Sequence, residues 1–154
     1  MSGSRFTLDA NILFYSVDAQ AGRRQRSAAE ILDRAAECDC RLTLQAISEF
    51  FFAVTRKGIV ARSEAAAQAE DWLILFPCAQ ASPSAVRTAL AAAGGGQASY
   101  WDALLRATAA EAGCATIVTE GLADGGQLGG LSIINPFTAD GGLTPAILGL
   151  LGAD

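Results

Sequence analysis

Apolar positions along this chain alternate between short continuous runs and longer stretches in which they recur every third or fourth residue. Residues 6–8 read as a short buried strand that runs into Asp9, and 10–15 then switch to a helical run. A basic turn at 21–24 precedes a helix over 27–37 with Ala28, Ile31, Leu32 and Ala35 on one side. A second strand at 41–44 leads into a helix over 46–56. Its apolar face is Ile47, Phe50, Phe51 and Val54, and Lys57-Gly58 supply a basic last turn and a stop. Ser63 is the expected cap of an amphipathic helix reaching 75, and the stretch around Cys78 reads as a third strand. Ser82-Pro83 open a helix running to 93, which the glycines at 94–96 break. Ser99 caps a helix through 112, stopped by Gly113. Residues 115–119 form an apolar strand, 120–130 a glycine-rich loop, and 131–134 a last strand ended by Asn135-Pro136.

Short apolar strands alternating with amphipathic helices predict an α/β fold, a central mostly parallel sheet flanked by helices on both faces. At 154 residues the chain fits one domain. The reading is a body over 1–137 and an apolar C-terminal tail over 138–154, packed on the body or partner-binding. Its apolar run, residues 143–151, is far short of the roughly 18 residues a membrane span needs, and with no secretory signal at the start the expected location is cytoplasmic.

Composition changes the picture in two ways. The 16 acidic and 11 basic side chains leave a formal charge of -5, a poor bulk binder of nucleic acid, so any such contact must come from local basic groups or bound cations. There is no histidine, and the four cysteines form no CxxC pair. This removes histidine-based nucleophilic triads and ordinary zinc sets, and leaves carboxylates as the natural acid, base or metal-ligand chemistry.

Three carboxylates occupy odd places. Asp9 ends a strand at a helix start, where it either caps the helix or faces the rim on which open α/β sheets collect ligands. Glu49 lies among Ile47, Phe50, Phe51 and Phe52 with Ala53 and Arg56 on its side of the helix, as a solvated edge residue or a functional one. Asp102 stands in the first turn after Ser99, beside Tyr100 and Trp101, where the helix dipole alone would favour it. If the three meet, their repulsion calls for a divalent cation, and oxygen-only ligands point to magnesium or manganese. Asn11 is placed for a turn bond or for holding a neighbouring carboxylate. Trp101 is expected in the core.

The segments LDANILFYS, QAISEFFFAV, SYWDALL, TEGLADGG and LSIINPF, in this order, resemble the PIN domain, in particular the VapC-like toxins of bacterial toxin-antitoxin pairs, over about residues 6–137. The resemblance implies a metal-dependent endoribonuclease, usually a homodimer, held inactive by a cognate antitoxin whose C-terminal segment enters the active-site groove. Asp9, Glu49 and Asp102 match the family's first three acidic residues. They would be the catalytic residues, with Asp9 and Asp102 on magnesium or manganese and Glu49 reaching it through water, and Asn11, Arg23, Arg24, Arg26, Arg56 and Tyr100 would be candidate contacts to the RNA, with solvated surface or core as the alternatives. The family commonly has aspartate directly after the Thr119-Glu120 pair, where this chain has Gly121, and Glu120 or Asp124 is the expected substitute. The alternative is a catalytically weak or inactive protein of the same fold that binds RNA or protein. A phosphatase-type nucleophile motif is disfavoured, because Asp9-Ala10-Asn11 lacks the second aspartate.

Overall fold

The computed structural model describes residues 4–122, 130–152 and the backbone of Gln127–Leu128. β1 (Phe6–Leu8), β4 (Thr116–Val118) and β6 (Leu131–Ile134) run parallel, and β5 (Gln127–Leu128) adds an antiparallel edge, giving the order β1-β4-β6-β5. β2 (Leu42–Thr43) and β3 (Cys78–Ala79) form a second parallel pair, joined to β1 through the Phe6–Cys40 bridge. The glycine-rich segment predicted as loop thus contains a strand. The reading of a mostly parallel α/β sheet agrees with this arrangement.

Period-two alternation covers both faces of the sheet. Leu8 and its neighbour Val118 join the main core with Ile12, Ile31, Phe50 and Trp72. Ile117 and its neighbour Ile133 face the other way and pack with Leu105 and Ala109. The helices on the first side are α1 (Ala10–Val17), α2 (Arg23–Ala35), α3 (Leu44–Arg56) and α4 (Arg62–Leu75), and on the second α6 (Tyr100–Glu111), against which α5 (Pro83–Gly94) packs. The C-terminal tail carries α7 (Pro145–Leu150), capped by Thr144. Ile147 and Leu151 are buried in the main core, so the tail is packed on the body.

Two local readings are corrected. The basic turn at 21–24 is instead a short 3-10 helix, Ala19–Ala21, followed by Gly22 and the first turn of α2. Gly22 takes a φ of 63°, so the chain reverses there and Arg23 and Arg24 are already helical. Ser63 does not cap α4: the helix starts one residue earlier, at Arg62, with Ala61 in the cap position and no side-chain cap bond. The caps at Ser82 and Ser99 stand as read, each hydroxyl accepting from a backbone N–H three residues on. Among the described residues no helix is long and apolar enough to cross a membrane.

Candidate active site

The C-terminal ends of β1 and β4 and the N-terminal turn of α6 meet at one rim of the sheet. Asp9 follows β1 directly, and its backbone N–H donates to the Val118 carbonyl, which fixes it beside the end of β4. Its two carboxylate oxygens have different partners. Oδ1 accepts from the Ala10 N–H at 2.7 Å as a helix cap, while Oδ2 turns inward to accept from the Thr119 hydroxyl at 2.8 Å. Thr119, fully buried, had no signal in the sequence. Its oxygen also accepts from Asn11 Nδ2 at 3.1 Å and from the Gly121 N–H at 3.0 Å. With two donors on its lone pairs, the hydroxyl proton is left to point at Asp9.

Glu49 lies in α3 and Asp102 in the first turn of α6, and both are within electrostatic range of Asp9. Burial is the main cause that raises the Asp9 carboxyl above its ordinary value. Thr119 and Ala10 work against it, and Asp102 adds a further upward push. Burial also raises Glu49, opposed by a bond from Gln45 and reinforced by the charges of Asp9 and Asp102. None of the three has a basic side chain within ion-pair distance among the described residues. Gln45 ties the two helices together: its Nε2 donates to Glu49 Oε1 at 3.3 Å and to the Trp101 carbonyl at 3.0 Å. Beside the acids runs a groove of about 990 Å³, lined by Glu49, Gln45 and Asn11 among the aromatic rings of Phe14, Phe52 and Trp101. Asp9 and Asp102 are not in its lining and sit next to it, through Ala10 and Trp101.

Hard oxygen donors that repel one another and lack a cationic neighbour suit magnesium or manganese chemically. In their present rotamers they are spread out: no three acidic, cysteine or histidine side chains among the described residues form a group able to hold a metal ion.

The fourth acidic position behaves differently from its neighbours. Both oxygens of Glu120 are occupied away from Asp9, Oε1 accepting from the Tyr15 hydroxyl at 2.5 Å and Oε2 from Arg24 Nε at 2.9 Å. Burial, and then this bond, push the Tyr15 phenol up to about 12. Asp124 lies outside the described residues. Gly121 does not have a positive φ, so its backbone suits any residue, and a Cβ there would meet Asn11 Nδ2 at 3.4 Å and Thr119 Oγ1 at 3.7 Å, ordinary contacts. An aspartate at this position would therefore fit beside the Asp9–Thr119 pair. G121D is expected to bind magnesium or manganese severalfold more tightly by isothermal titration, with the fold unchanged by circular dichroism. Unchanged affinity in G121D together with weaker binding in D124A would assign the role to Asp124 instead.

The proposed RNA contacts separate into groups. Arg24, half-buried, pairs with Glu120 and lies over the Phe137 ring at 5.5 Å, and Arg23 pairs with Asp140. Arg26 is exposed, and Arg56 lies over the Phe52 ring at 5.6 Å. Asn11 is committed to Thr119 and, through Oδ1, to the Glu120 N–H. Tyr100 packs against the small core between α5 and α6. Trp101 is the correction: it is 57% exposed, and the buried tryptophan is Trp72, edge-on to Phe50 at 4.7 Å. As the second residue of α6, Trp101 points off the helix start while Ala103, Leu104 and Leu105 take the inward positions.

Neither a family model nor a curated protein matches the sequence. Solved structures do match. VapC20 of Mycobacterium tuberculosis, described as a sarcin-ricin loop cleaving toxin, has a TM-score of 0.59 at 14% identity over 73% of this chain and 86% of its own. DNA-bound VapBC of Salmonella typhimurium has a TM-score of 0.60 at 15% identity, over 84% of this chain and 96% of its own. VapBC2 of Rickettsia felis, bound to a promoter DNA fragment, gives the same values. The chain has a VapC-like PIN fold.

Proposed function

We propose that the chain is a metal-dependent endoribonuclease, the toxin of a toxin-antitoxin pair. The observation that supports this reading is that Asp9, Glu49 and Asp102 stand within electrostatic range of one another beside the C-terminal rim of the sheet, with no basic partner among the described residues, in a fold shared with VapC toxins. Asp9 and Asp102 would hold magnesium or manganese, which when bound polarises the scissile phosphate and makes a bound water more acidic. Thr119 anchors one oxygen of Asp9, and Gln45 sets Glu49 against the α6 turn. Glu49, its carboxyl already raised by burial, is suited to take the proton of the attacking water. The water oxygen bonds to phosphorus, the bond from phosphorus to the 3' oxygen breaks, and that oxygen takes up a proton from solvent. The ends are a 5'-phosphate and a 3'-hydroxyl.

The partner is an antitoxin whose C-terminal segment covers the groove. Leu73, Ile74 and Leu75 of α4 and Leu90 of α5, all exposed, provide apolar surface for a homodimer. A second reading, a catalytically inactive RNA- or protein-binding protein, is favoured by the spread of the three carboxylates in their present rotamers. Incubating the purified chain with single-stranded or loop RNA separates the two. Cleavage with magnesium or manganese, ending in 5'-phosphates and stopped by EDTA, is the expected result. Cleavage unchanged in EDTA, with contaminating nuclease excluded, would overturn the metal mechanism, and binding without cleavage would leave the second reading.

A further inference from the structure

The groove has an aromatic rim that hydrolysis itself does not need. Phe52 and Trp101 both line it and are 62% and 57% exposed. Their backbones and rings are nevertheless held in place. The Trp101 carbonyl accepts from Gln45, and its ring meets Tyr100 edge-on at 5.0 Å. Gln45 cannot turn its amide over, because both groups it faces, the Trp101 carbonyl and the Glu49 carboxylate, are acceptors that require Nε2. The Phe52 ring lies under the Arg56 guanidinium. Close by, the Lys57 ammonium stands 5.3 Å from the Phe14 ring, and neither Arg56 nor Lys57 has an ion-pair partner among the described residues.

Each exposed ring also stands next to an acid. Trp101 immediately precedes Asp102, and Phe52 lies about one turn beyond Glu49 on α3. We infer that Phe52 and Trp101 are stacking platforms for unpaired nucleobases of single-stranded RNA, with Lys57 and Arg56 receiving the phosphodiester. This rests on the ribonuclease reading and deepens it to a base-binding subsite. Pinned aromatic faces interleaved with unpaired cations match the alternation of flat bases and anionic phosphates in a nucleic acid strand. An apolar peptide would fill the rings but leave both cations without an anion. Because Phe52 and Trp101 stand beside Glu49 and Asp102, a strand stacked on them and held by Lys57 and Arg56 would run past the acids.

The test uses the intact protein in EDTA, so that binding is read without turnover. A short single-stranded RNA is compared with an abasic oligomer of the same length and charge, by tryptophan fluorescence and by anisotropy of an end label. The expected result is that the base-bearing strand quenches the exposed Trp101 and binds about 5- to 150-fold more tightly than the abasic one. F52A and W101A should each erase most of that preference. K57A should weaken both oligomers alike. Equal affinity for the two oligomers, or a preference that survives both aromatic substitutions, would overturn the subsite. So would quenching by an arginine-bearing apolar peptide with none by RNA, which would make the groove a peptide site. Cleavage with metal but no base preference removes the subsite alone, whereas base-dependent binding without cleavage removes the ribonuclease reading and leaves the platforms. Both rings are exposed, so the variants should keep the wild-type circular dichroism.

Discussion

Replacing Glu49 with glutamine is expected to cut cleavage by about 10²- to 10⁴-fold and yet to raise the unfolding temperature of the metal-free protein at neutral pH. The activity loss follows from removing the group proposed to accept the water's proton. The stability gain follows from its surroundings. Burial raises the Glu49 carboxyl, and the charges of Asp9 and Asp102 raise it further, so folding favours its protonated form. A carboxyl raised on folding contributes stability that is complete below its unfolded pKa and is lost as pH climbs through the folded value. As pH rises through the folded values, the wild-type protein loses that contribution from Glu49 and, for the same reason, from Asp9. E49Q keeps the acceptor for Gln45 and removes the charge. Its advantage should shrink as pH falls through the carboxylate range, and added magnesium should stabilise the wild type more than the variant. D9N should lose cleavage in the same range but gain less stability. An amide offers one acceptor where Asp9 uses two, and the Thr119 oxygen is already filled by donors. Thermal melts across pH in EDTA check all of this, and an E49Q that melts below the wild type at neutral pH would contradict the picture of an uncompensated acidic rim.

What the sequence disclosed was periodic or local. Asp9 could be read because an apolar strand stops at it and a helical pattern starts after it, and the caps at Ser82 and Ser99 are signalled by the residues immediately beside them. The groups that hold the site together carry no such signal. Thr119 bonds to Asp9 across 110 positions and Arg24 to Glu120 across 96, pairings created only when β4 is laid against β1. Trp101 was misplaced because a tryptophan beside apolar residues reads as core. Its actual orientation depends on where α6 begins relative to the rim, a matter of one residue of helical phase. Gln45 looks like any surface glutamine until α3 and α6 are brought together.

Thr119 to valine is the expected point of greatest damage among the residues that only position the site. The side chain is fully buried, and valine nearly keeps its volume, so the change isolates the hydroxyl. Three hydrogen bonds go at once: the one Thr119 donates to Asp9, and those it accepts from Asn11 and the Gly121 N–H. Leaving partly buried donors without an acceptor costs about 1–3 kcal/mol, which denaturant melts would register. The functional consequence runs through Asp9. The Thr119 bond is the largest influence holding its carboxyl down against burial. Without it the carboxyl rises further, and the acid limb of the cleavage profile should move to higher pH. T119S, which keeps the hydroxyl, should retain the wild-type limb even if the missing methyl lowers stability. That split distinguishes an orienting bond from a packing contact: T119V with an unshifted limb, or T119S shifted as far as T119V, would mean that the hydroxyl does not set the state of Asp9.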